Sequence, residues 1–409
     1  MTLIHSALIE TLGWHFALSK RRLATLAALI ARLAQSRSVN LSHLAVHLCG
    51  PAQHASKYRR LQRFFQFVRL DQAVAAQLVV YMLNLERPKY LALDRTNWKL
   101  GSRDINILML AIVTRRFRVP LLFTLLPHQG NSDTGHRVAL MRRYLSLFPA
   151  ASIRCLLADR EFIGAEWMDF LNENDIPFAI RVKVDMTVTL EDGRAWSLAT
   201  LLRRRRARCA TLVGHINGTA GTTCEPLRFA AKRLGTGEWL IVATNRPDPK
   251  QALNDYRKRW GIECLFGDTK TRGLNIEDTH ITNPEKLASL IVVVMLAITW
   301  AYRCAATTTV AGSATTMMAG GGSPVRPGRR EGRSPDRRAG LTGGRDRSPC
   351  EGALIGARGV VVSEHLSNIA AIGTDGWPPH HRSTGTSLHV SASSPHPGRC
   401  GRQGRYQRT

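Results

Sequence analysis

Residues 90–126 read YLALDRTNWKLGSRDINILMLAIVTRRFRVPLLFTLL. Three apolar runs of strand length lie in it, Tyr90–Asp94, Ile105–Val113 and Val119–Leu126, separated by short polar stretches that suit turns. Runs so rich in Leu, Ile and Val read as strands buried on both faces. Toward the C-terminus follow a helical stretch at Thr134–Phe148, a buried strand at Ile153–Ala158, a helix at Ala165–Asn174 and a fifth strand at Phe178–Val184. Strands that open antiparallel and then alternate with helices predict an α/β layered sheet.

Two acidic residues close apolar runs of this layer: Asp94 in LALDRTNW and Asp159 in LLADREF. A third, Glu263, lies in the helical pattern YRKRWGIECLFGDTK of residues 256–270. Three remote carboxylates meeting at one strand edge have the geometry of a two-metal phosphoryl-transfer site. Their hard oxygen ligands suit two Mg²⁺ or Mn²⁺ ions. Asp94 reads as the carboxylate bridging both ions, with Asp159 and Glu263 each completing one site. Any one such Asp, taken alone, would read as a cap or turn residue.

Tyr256, Arg259, Glu263 and Lys270 fit Tyr-x(2)-Arg-x(3)-Glu-x(6)-Lys at every spacing. With Asp-Arg-Thr-x-Trp around Asp94, Ala-Asp-Arg-Glu-Phe around Asp159 and Gly273–Thr282 after the helix, the chain resembles the DDE transposases of the bacterial insertion-sequence class that carry this signature. The resemblance covers about residues 1–304. It implies a ribonuclease H-like catalytic core interrupted by a β-rich insertion and preceded by an α-helical domain. It also implies that Tyr256, Arg259 and Lys270 hold phosphates at a transposon terminus. The expected partners are double-stranded DNA, as element ends and target, and a second copy of the chain as a homodimer in the synaptic complex.

The expected divisions are a helical DNA-binding domain at 1–88, the first part of the core at 89–184, the insertion at 185–236, the second part at 237–304 and a disordered tail at 305–409. In the first, Leu23, Leu26, Ala27, Ile30 and Leu33 form an amphipathic stripe. Val39–Leu48 and Ser56–Val68 resemble two helices joined by a turn. The second carries Lys57, Arg59, Arg60 and Arg63, which either meet DNA or form a solvated basic face. The basic run Arg203–Arg206, inside the insertion, reads equally as a phosphate-tracking patch or a solvated loop. Trp239, at the insertion's exit, stacks on an extruded base in one reading and belongs to a strand core in the other.

A formal charge of +27 and 57 Lys and Arg against 30 Asp and Glu imply a polyanionic partner. Eight cysteines without a C-x-x-C pair argue against structural zinc and a disulfide framework. The N-terminal stretch lacks the apolar core and cleavage pattern of a signal peptide. Leu287–Ala301 reads as a buried helix, short of the roughly 18–20 residues a bilayer span requires. A cytoplasmic, nucleoid-associated protein is expected, with no membrane partner. His128 and His136, eight residues apart around GNSDTG and without a Cys partner, read as loop or DNA-facing residues rather than metal ligands.

After Cys304 the composition shifts to Ala, Thr, Gly, Pro, Arg and Ser, with fourteen Arg and no Lys against ten Lys before it. That abrupt change reads as an out-of-frame tail or, alternatively, a natural disordered basic one. The function expected is metal-dependent strand cleavage and transfer. Its alternatives are a catalytically crippled end-binding protein that suppresses transposition and a structure-selective nuclease.

Overall fold

A computed structural model describes residues 2–87, 89–203, 208–218, 221–270 and 272–318. Five helices come first: α1 (Thr2–His15), α2 (Lys20–Ser36), α3 (Leu41–His47), α4 (His54–Phe67) and α5 (Gln72–Met82). The stripe on α2 is buried, as its period dictates. Asn40 and Asp71 start α3 and α5 by accepting the backbone N–H two residues on. On α4, Leu61, Phe64 and Phe65 face the core while Arg59, Arg60 and Arg63 are exposed.

The three apolar runs form an antiparallel meander of β1 (Lys89–Leu100), β2 (Arg103–Val113) and β3 (Arg118–Leu126). Helix α6 (Thr134–Leu145) then leads to β4 (Ile153–Ala158), and α7 (Ala165–Glu173) leads to β5 (Phe178–Val182). β4 lies parallel to β1, and β5 parallel to β4. The fold is mixed α/β with a large sheet, and the order β3-β2-β1-β4-β5 is consistent with a ribonuclease H-like core.

β1 does not stop at Asp94, where the apolar run ends. Thr96, Trp98 and Leu100 point inward while Asn97 and Lys99 are exposed, so the strand continues on a two-residue period. β4 accompanies β1 only as far as the Leu93–Ala158 pair. Asp94 therefore sits at the step where the parallel neighbour ends and β1 runs on beside β2 alone.

The segment between the second and third carboxylates holds β6 (Thr187–Thr189), β7 (Ala195–Ser197), α8 (Leu198–Arg203), β8 (Cys209–Gly218), β9 (Gly221–Thr222), β10 (Leu227–Arg233) and β11 (Trp239–Thr244). These strands extend the central layer: β11 pairs with β5, β10 with β11 and β8 with β10. Arg203 is the last residue of α8, whereas Arg204–Arg206 lie outside the described residues.

Helix α9 (Pro249–Tyr256) passes through a 3₁₀ turn at Arg257–Arg259 into α10 (Trp260–Thr269), and α11 (Pro284–Met318) follows. The apolar part of α11 is longer than the sequence pattern predicts. Pro284–Ala306, 23 residues of mean hydropathy 1.9, is long and apolar enough to cross a membrane. Most of it is buried instead, packed against α2, α4, α5 and β3, which accounts for a helix apolar all round. The helix also continues beyond Cys304, where the tail was expected to begin. Extending an established helix needs no new nucleation, and Ala and Thr permit it. Positions 319–409 lie outside the described residues.

One buried charge ties these parts together. The Asp255 side chain is 1% exposed and accepts from Arg246 and Lys258, each at 2.7 Å, and from the Tyr90 hydroxyl at 2.9 Å. Burial alone would raise its pKa, but hydrogen bonds from Lys258, Arg246 and Tyr90 outweigh it and hold the carboxyl below its ordinary 3.8. Its contribution to stability is thus fully present above pH 3.8 and is lost as the pH falls below that value. Asp255→Ala, which strands two cations, should cost about 3–5 kcal/mol by denaturant titration at neutral pH. The Asp255→Asn protein should unfold with a shallower acid dependence than wild type.

Candidate active site

The strand register delivers the first two carboxylates. Leu93 pairs with Ala158, so Asp94 and Asp159 are the next residues on adjacent parallel strands. Ala158 in turn pairs with Ile180, which places Arg181 beside Asp159, Nη1 to Oδ1 3.9 Å. Glu263 comes from the first turn of α10.

Arg259 connects all three. Its Nη1 donates to Asp94 Oδ2 at 2.9 Å, its Nη2 donates to Glu263 Oε1, and Nη2 lies 4.0 Å from Asp159 Oδ2. The Tyr256 hydroxyl donates to Asp159 Oδ1 at 3.2 Å. Burial pushes the Tyr256 phenol above its ordinary range. Burial opposes the Arg259 charge, but Tyr256, Asp159, Asp94 and Glu263 outweigh it and raise that pKa.

Asp94 reports the balance of the site. Burial pushes its carboxyl up to about 6, although Arg259 and the Arg95 N–H pull it down. Glu161 and Asp159 add to the rise. One guanidinium does not satisfy three carboxylates in this setting. The donor set is all carboxylate oxygen and short of positive charge, which fits hard divalent cations of the Mg²⁺ type.

The remaining residues divide clearly. Lys270 caps the end of α10 in non-helical backbone: its Nζ donates to Asn97 O at 2.8 Å and lies 3.9 Å from Glu277. It thereby flanks β1 three residues past Asp94, roughly 10 Å along the strand. Glu161 is held by Arg95 at 3.4 Å rather than by the carboxylate cluster. Trp98 is fully buried core, its Nε1 without a hydrogen-bond partner. Trp239 begins β11, half-buried against the core, paired with Arg233. Lys57, Arg59, Arg60 and Arg63 all belong to α4, and Arg60 Nε donates to Thr25 Oγ1 of α2 at 2.9 Å. None of these four contacts the carboxylate cluster among the described hydrogen bonds and ion pairs.

Arg181 was missed in the sequence, although a single Arg inside the apolar FAIRV run is a legible signal. The support beneath the loop before α6 was missed too. Asn106, buried on β2, donates to His128 O and Gly130 O, and its Oδ1 accepts from Arg95. Trp260, beside Arg259, is 57% exposed at the start of α10.

The central parallel strands of the mixed sheet and the helix that follows thus bring three carboxylates around one guanidinium. Residues 85–300 match the family model described as the transposase DDE domain. The chain belongs to this family. No curated protein matches it.

After α10 the chain folds back on itself, with Gly273 N donating to Lys270 O and Leu274 N to Asp268 O. A Cβ on Gly273 would overlap the Asp268 carbonyl, so only glycine allows the reversal that sets Lys270 and Glu277 against β1. Gly273→Ala should therefore destabilise by about 1–3 kcal/mol, read as a lowered denaturant midpoint at unchanged slope.

Proposed function

We propose that this chain is a DNA transposase that binds the terminal inverted repeats of a mobile element and catalyses metal-dependent strand cleavage and strand transfer. The observation that carries the reading is one guanidinium, Arg259, within 4.0 Å of an oxygen on each of Asp94, Asp159 and Glu263. These three residues would hold two Mg²⁺ or Mn²⁺ ions. When bound, such ions activate the attacking oxygen and stabilise charge on the leaving one.

The chain's own groups complete the site. Arg259 keeps three mutually repelling carboxylates assembled, and with their charge met by cations its guanidinium becomes available to a DNA phosphate. Tyr256 orients Asp159 through its hydroxyl, and Arg181 adds positive charge on the same side. Lys270, tethered beside Asn97, is placed for the next phosphates along the strand. Trp239 is proposed to stack on a base near the element end.

Recognition of the ends is assigned to the helical segment before residue 89. Lys57, Arg59 and Arg63 on α4 form its contact surface, while Arg60 is partly committed to Thr25. Strands β6–β10 act as the insertion of the core and two copies synapse the two ends. A nucleoid setting, without a membrane, follows from this substrate.

Asp94→Asn, Asp159→Asn and Glu263→Gln should each abolish Mg²⁺-dependent nicking of a terminal-repeat duplex while leaving its gel retardation largely intact. Full cleavage by any one variant would remove that residue from the site.

The DNA contacts are tested by salt. Lys270→Ala should lower the salt dependence of end binding by roughly one unit of slope. Arg59→Ala or Arg63→Ala should reduce discrimination between repeat and random DNA by about 1–3 kcal/mol if they reach base edges. Equal weakening on both DNAs would assign them to backbone contacts alone.

A further inference from the structure

The loop between β3 and α6 carries a cluster that the carboxylate site does not use. His128, Asp133 and His136 each offer a ligand atom, and these atoms all lie within 4.8 Å of one another. The two imidazoles, set aside on sequence spacing, come together because the loop doubles back: their ring centroids are 5.6 Å apart, inclined at 66°. Asp133 caps α6, accepting His136 N at 2.7 Å, and the same oxygen lies 2.7 Å from His136 Nδ1. His128 Nδ1 is 3.1 Å from Gln129 O, so Nδ1 donates there and Nε2 keeps its lone pair for a ligand bond.

The backbone carrying these ligands is held in place from below. Asn106 donates to His128 O and Gly130 O, both at 2.9 Å. Buried Arg137 donates to Ser132 Oγ at 3.0 Å and to Glu161 O at 2.9 Å. Three ligand side chains on an anchored loop are a preorganised arrangement, not an incidental meeting of mobile groups.

We propose that His128, Asp133 and His136 form a binding site for a borderline divalent transition metal, Zn²⁺ foremost, separate from the carboxylate site and chemically unlike it. Two imidazoles and one carboxylate make a three-ligand zinc set with a fourth position for water. The N-terminus of α6 is weakly positive, so charge attraction alone does not draw a cation there. Imidazole donor strength does, and it selects Zn²⁺ over Mg²⁺. As His136 Nδ1 takes the ion, the ring proton now directed at Asp133 moves to Nε2, so both imidazoles ligate as neutral rings. An ion there clips the loop. Through Asn106, whose Oδ1 accepts from Arg95 at 3.2 Å, the clip bears on the Arg95–Glu161 pair beside Asp159.

The test is calorimetric titration of the full chain with Zn²⁺, comparing wild type with His128→Gln, His136→Gln and Asp133→Asn. Asn caps a helix as well as Asp, so Asp133→Asn keeps the start of α6 and removes only the charged ligand. Each variant should bind at least about tenfold more weakly, or lose one equivalent, whereas His43→Gln, at an exposed position of α3, should match wild type. Co²⁺ in the wild-type site should give the visible bands of a nitrogen and oxygen ligand set without thiolate charge transfer, and the three variants should lose them. Unchanged Zn²⁺ binding in His128→Gln and His136→Gln overturns the proposal. So does a Co²⁺ spectrum dominated by thiolate, which would assign the binding to cysteines.

Discussion

Three carboxylates cannot share one strand edge without a counter-charge, and the site is built around the cation that supplies it. Two like charges 4 Å apart repel by ~4 kcal/mol at an effective dielectric of about 20. Arg259 answers this from the 3₁₀ turn between α9 and α10, close enough to reach Asp94 and Glu263 directly. The compensation is incomplete at the most buried of the three, Asp94, where burial outweighs Arg259 and pushes the carboxyl up to about 6. The same deficit makes the donor set suited to divalent ions.

The scaffold's part is register. Leu93–Ala158 and Ala158–Ile180 are consecutive pairings of three parallel strands, so Asp94, Asp159 and Arg181 come next, side by side, just past the parallel pairing. A one-residue slip would turn each to the other face of the sheet. The acidic residues that end the apolar runs oppose such a slip, since it would carry Asp94 or Asp159 into the fully buried places of Leu93 or Ala158. The turn that brings Arg259 is fixed just ahead of it by Asp255, in the last turn of α9, through Tyr90 on β1 and Arg246 after β11. Placement of the guanidinium thus depends on a second buried charge that takes no part in the cluster.

How much of this could be read from the sequence follows from which forces were local. The meander and the α/β alternation were legible because apolar runs at 105–113, 119–126 and 153–158 have one plausible fate. The Tyr256, Arg259, Glu263 and Lys270 spacing was legible as a pattern, but not as geometry. Lys270 falls just past the end of α10, although the helical pattern runs through residue 270, whereas Arg259 turns inward to the carboxylates. The far end of β1 was hidden because its alternation begins only where the continuous apolar run stops. Asp255, Arg137 and the His128–His136 loop rest on contacts between residues distant in sequence or on loop backbone, which no local period encodes.

Charge also explains why the proposed grip on DNA and the proposed chemistry must occupy different surfaces. The chain carries +27 overall, and such a field attracts a polyanion. At physiological salt it is screened beyond about 8 Å, so attraction brings DNA near without choosing its seat. A phosphate arriving at Asp94, Asp159 and Glu263 meets three negative groups at close range, and Arg259 is already shared among them. Basic residues on α4 and Lys270 at the edge of β1 can hold DNA without that penalty. Cleavage in the proposed reaction therefore requires a reversal of local sign at the cluster, which cations supply and peripheral arginines cannot. In the proposed reaction, DNA is therefore bound without cleavage until cations occupy the cluster.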